Sequence, residues 1–133
     1  MTDRFRPLRR EELDPRQRAV FDAIQAGPRG TVPSIFHLYL ESPELAARVQ
    51  ELGAFCRYGS GLPQHLSELA ILVVARHWDA EYEWRIHEGE ARKAGLSEEA
   101  IAAIRRGEEP HFDDADARLV CEFLTEYLAK NDV

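Results

Sequence analysis

The sequence predicts an all-α fold, a single-domain helical bundle of five or six helices spanning its 133 residues. Three observations carry this. Apolar residues recur at helical spacing in successive segments. Start signals (Asp14-Pro15, Ser42-Pro43, Leu62-Pro63, Ser97) alternate with glycine stops (Gly27, Gly59, Gly61, Gly95, Gly107). No stretch keeps the period-two alternation of a half-buried strand.

The elements follow in order. Residues 1–12 are polar and read as a flexible arm. Asp14 caps a helix with Pro15 at its first position and Val20, Phe21 and Ile24 inward, ended by Gly27-Pro28. Ser34 to Leu40 allows one or two turns. Ser42-Pro43 repeats the cap-plus-proline signal for a helix to about Tyr58. Leu62-Pro63 opens a helix to about Trp78. Its β-branched middle is compatible with a strand, but about fifteen residues without a turn signal favour a helix, and one apolar all round is a buried one. Asp79 is read as the N-cap of a helix over 80–94, stopped by Gly95. Ser97, Glu98 and Glu99 start a short helix ending at Gly107. The last helix runs from about Asp114 to Ala129, with Leu119, Val120, Phe123, Leu124 and Tyr127 inward.

Composition narrows the function. The net charge of −7, with no Lys/Arg block, argues against a nucleic-acid partner. The longest apolar run, Leu69 to Ala75, is far short of the ~18 residues of a membrane span. The N-terminus lacks the apolar region of a secretory signal, so a cytoplasmic location is expected. In that setting Cys56 and Cys121 are expected to be buried free thiols.

Candidate chemistry concentrates between Glu68 and His87. Glu83 and His87 stand one helical turn apart, on a face that also carries Ala80 and Trp84. Glu68 lies in the first turns of the most apolar helix. If that helix and the next form an antiparallel pair turning at Trp78-Asp79, Glu68 and His87 reach similar heights. Two carboxylates and a histidine in one partly buried place suit proton transfer, because each shifts the others' proton affinity. Such groups also hold metals in di-metal bundles, but those use Glu-x-x-His from more than one helix. No metal or other cofactor is assigned. Glu68, Glu83 and His87 are the candidate catalytic residues, and Tyr82 and Trp84 the candidate pocket walls. The same cluster also fits a non-catalytic packing network.

The stretch from Ser34 to Gly107 resembles the carboxymuconolactone decarboxylase / alkylhydroperoxidase D-like family. Its most specific parts are SPELA, LPQHLSELAIL, EYEW with a histidine shortly after, and AGLS. The resemblance implies an all-helical homo-oligomer, often a trimer or hexamer. In the peroxidase branch a glutamate and a histidine correspond to Glu68 and His87, and the redox cysteines to Ala80 and Glu83. The cysteine pair is therefore replaced, and dithiol peroxidase chemistry needs an attacking thiolate and a resolving partner. The decarboxylase branch acts on a lactone carboxylic acid without cysteine. The function expected is thus a cofactor-independent acid–base reaction, lyase or isomerase in type, on a small organic acid or lactone. The alternatives are a ligand-binding or structural oligomer and, less favoured, peroxidase activity through Cys56 or Cys121. The resemblance implies further helical sequence past the last helix in many relatives, so part of the usual pocket or interface is expected to be missing here or supplied by another subunit.

Overall fold

The computed structural model describes residues 5–130, which carry seven α-helices and no strand. They are α1 (Pro15–Ala26), α2 (Ser34–Tyr39), α3 (Pro43–Ala54), α4 (Gln64–His77), α5 (Glu81–Lys93), α6 (Glu98–Arg106) and α7 (Ala115–Lys130). The count exceeds the expected five or six because the short apolar segment α2 closes as a helix of its own. A π-helical turn, Phe55–Gly59, prolongs α3. The chain divides into two compact units, one ending at Gly61 and the other beginning at Leu62.

In the first unit, Asp14 caps α1 by accepting from the Arg16 and Gln17 backbone N–H groups, and Gln17 returns a bond to the Asp14 N–H. Ser42 holds the same position before α3, but its side chain makes no capping bond. Leu13, Leu40 and Ala46 form the core, with Leu8, Val20, Phe21 and Tyr39 packed on it. The expected arm over 1–12 lies partly outside the described residues. From Phe5 onward it is tied down rather than free: Arg6 pairs with Glu12 and Arg10 with Asp22, Leu8 packs on the core, and Arg10–Glu12 forms a 3-10 turn.

In the second unit, α5, α6 and α7 all pack on α4. Leu66, Leu69, Leu72 and Ala75 of α4 meet Trp84, Ala91, Ile101, Ile104 and Ala117. Each fully buried leucine contributes about 2 kcal/mol of transfer free energy. Ser97 accepts from the Ala100 N–H and caps α6. Gly95 ends α5 at φ +100°, with the Leu96 N–H returning to the Ala91 carbonyl. The expected inward face of α7 is corrected. Ala117 and Leu128 are buried and Val120 packs on the core, whereas Leu119, Phe123 and Tyr127 are 63%, 62% and 54% exposed. Apolar residues cover more than one side of α7, and the side with small Ala117 seats against the core. Among the described residues, no helix is long and apolar enough to cross a membrane.

Candidate functional site

The turn between α4 and α5 sets the site. Asp79 was expected to cap α5; it instead ends α4, in the left-handed region at φ +50°. The Ala80 N–H returns to the Ala75 carbonyl at 2.8 Å, and the Asp79 carboxylate accepts from Arg76 at 2.8 Å. Aspartate tolerates this conformation better than most residues, and a helix C-terminus commonly requires it. Ala80 takes the N-cap place of α5 without a side-chain bond. The tight reversal brings α5 back along α4.

Glu68 is fully buried. Its Oε1 accepts from Gln64 Nε2 at 2.6 Å, and its Oε2 lies 2.7 Å from His87 Nδ1. The contact fixes the orientation of the ring, with Nδ1 turned toward Glu68. His87 Nε2 then faces the other way, toward Glu83 Oε2 at 3.5 Å. The Glu83 side chain is 48% exposed. The three groups form a line, from a buried carboxylate through an imidazole to a carboxylate open to water. An imidazole held between two carboxylates has the arrangement of a group that can pass a proton from one side to the other.

The structure thus brings Glu68, Glu83 and His87 together and sets Tyr82 and Trp84 apart. Trp84 is buried in the core of the second unit, with the Arg105 guanidinium 4.9 Å above its ring. It walls a cavity of about 170 Å³ with Ala75, Ala80, Glu81 and Arg105. Tyr82 is exposed on α5. A larger groove of about 800 Å³ opens beside α4 and α7, lined by Val73, His77, Ile104, Phe112, Cys121 and Leu128. Neither cavity includes Glu68, Glu83 or His87.

Gln64 is the member that sequence reading missed. Its signal was present: glutamine and glutamate four apart in the first turns of α4 share one face. The carboxylates address opposite nitrogens of one ring and do not converge on a point. Among the described residues, no group of three or more His, Cys, Asp and Glu side chains is arranged to hold a metal ion. The cysteines lie elsewhere. Cys56, expected buried, is exposed on the π-helical turn, which leaves the α3 packing face. Cys121 is half-buried on α7, and burial pushes its thiol pKa up. Position 80 is alanine and position 83 glutamate, so the α4–α5 pair holds no thiol.

No curated protein and no solved structure matches the chain. Residues 43–126 match the carboxymuconolactone decarboxylase family, and the matched span includes the whole α4–α5 pair with its Glu68–His87 contact. Since that span is well over half of the sequence, the chain belongs to the carboxymuconolactone decarboxylase family.

Proposed function

We propose that the protein is a cofactor-independent acid–base enzyme, lyase or isomerase in type, acting on a small organic acid or lactone. The observation that carries the reading is the buried Glu68–His87 hydrogen bond, which turns His87 Nε2 toward half-exposed Glu83. Glu68 orients the imidazole and stabilises its protonated form once it has taken a proton. His87 exchanges the proton with substrate. Glu83 receives it or returns it at the solvent side. Gln64 holds the second oxygen of Glu68. Trp84, which walls the neighbouring cavity with Ala80 and Glu81, and exposed Tyr82 take no part in this proton exchange. The absence of a thiol at positions 80 and 83 argues against a dithiol peroxidase route.

The test is turnover of a panel of lactones and keto acids by wild type, Glu68→Gln and His87→Ala, each checked for folding by circular dichroism. Positioned acid–base groups typically contribute a factor of about 10²–10⁴, so both variants are expected to lose at least a hundredfold. Turnover that survives both changes overturns the assignment. A second reading, a packing network without chemistry, is favoured by the separation of both cavities from His87. It predicts lower thermal stability in both variants and no wild-type turnover on any compound of the panel.

We also propose assembly as a homo-oligomer, a trimer or hexamer. Family membership supports it, and so does the exposed apolar side of α7.

A further inference from the structure

The groove beside α4 and α7 serves no step of the proposed reaction. Its volume of about 800 Å³ lies within the range of small-molecule sites, about 300–1,000 Å³. Every residue that lines it belongs to the second unit. α6 ends at Gly107, at φ +72°, and the chain then crosses to α7 without a helix. Phe112 of that crossing and Val73 of α4 pack on the core, and with buried Ile104 and Leu128 they make the floor of the groove apolar. Phe123 stands about 200° round α7 from Cys121, so the exposed stripe of α7 faces away from this floor.

Charge is unevenly spread around the floor. Glu108, Glu109, Glu122 and Glu126 line the groove, against Arg76 and Arg118. Arg76 pairs with Asp79 and bonds the Arg105 carbonyl, and Arg118 bonds the carbonyls of Phe112 and Asp113. Glu108 pairs with Arg106, and Glu126 with Lys130. Among the described residues, exposed Glu109 and Glu122 make no ion pair. Both act on the Cys121 thiol: burial raises its pKa, a bond with Thr125 lowers it, and the two negative charges add to the rise. Two uncompensated carboxylates thus bear on one point of an apolar groove.

We propose that this groove binds a small apolar molecule with one positive charge, an arylalkyl amine in class, its body on the floor of Val73, Phe112 and Leu128 and its ammonium beside Glu109 and Glu122. Covering the apolar floor favours any molecule of that shape. The two carboxylates add attraction for a cation and repel an anion. None of Glu68, Glu83 and His87 lines the groove, so binding here is independent of the acid–base reading.

The probe is phenylbutylamine, which is charged at neutral pH as lysine is. Phenylbutanol and phenylbutyrate are its neutral and anionic counterparts. Cys121 lies in the groove and reports on it directly. The full chain carrying Cys56→Ser is treated with N-ethylmaleimide at increasing concentrations of each compound, and calorimetry follows the binding of the amine. Phenylbutylamine is expected to bind saturably and to slow modification of Cys121 over the same concentration range. Phenylbutanol is expected to protect only at higher concentration, and phenylbutyrate least. Replacing both Glu109→Gln and Glu122→Gln is expected to weaken amine binding by roughly tenfold or more and to leave phenylbutanol unaffected. Both positions are exposed, so the double variant is expected to fold as wild type does, checked by circular dichroism. Should it not fold, either single variant is expected to show a smaller loss of the same sign. Absence of amine binding, amine binding without protection of Cys121, protection by phenylbutyrate equal to that by the amine, or undiminished amine affinity in the glutamine variant that folds overturns the proposal.

Discussion

A carboxylate as deeply buried as Glu68 persists in an apolar helix only because its oxygens are engaged, here by Gln64 and His87. The cysteines show the same dependence of chemistry on surroundings. Cys56 is open to solvent, whereas Cys121 is half-buried and its thiolate is disfavoured. Thiolate is the reactive form. Native protein is therefore expected to react with an aromatic disulfide reagent in two phases, with the fast phase absent in Cys56→Ser. Equal rates at the two thiols would contradict the burial of Cys121. The Glu68–His87 meeting was legible in the sequence because two helices and a short turn set the heights of both residues. Aspartate at position 79 suits a helix N-cap and also tolerates the left-handed conformation; the return bond from Ala80 decides between them.

The helix starts separate what a signal in the sequence promises from what the backbone takes up. Asp14-Pro15 and Ser42-Pro43 look alike, yet Asp14 receives two backbone N–H bonds and the Ser42 side chain receives none. Replacing a working N-cap by alanine costs about 1 kcal/mol. Asp14→Ala is thus expected to destabilise by about that amount in urea unfolding, and Ser42→Ala by no more than about 0.5 kcal/mol, the range of neutral surface changes. Equal losses would show that the capping difference has no energetic weight. Helix existence was legible throughout, because apolar spacing and glycine stops act locally. The face each helix buries was less so. In α7 the sequence offers more apolar residues than one neighbour can cover, and the fit of Ala117 against the core selects the side.

On the scale of the whole molecule, that selection leaves Leu119, Phe123 and Tyr127 on one exposed stripe, with the rings of Phe123 and Tyr127 stacked 6.0 Å apart. Proteins that stay monomeric rarely leave large contiguous apolar patches in water. If the stripe lies within the proposed oligomer interface, Phe123→Glu is expected to lower the mass found by light scattering to that of one chain while the helical content is kept. A mass unchanged by the substitution, or a wild-type monomer, excludes the stripe from self-association. The α4–α5 turn carries a different consequence. Glu68 and His87 are only 19 positions apart and belong to neighbouring helices. The loop that must close to join them is short, and the entropy of closure is correspondingly small. Contacts of this kind form early in folding, ahead of those that wait for distant segments. The Glu68–His87 contact is thus assembled by one helical hairpin, and its alignment depends on register: one residue inserted in α5 before His87 would rotate the imidazole by about 100° about the helix axis and take it away from its acid.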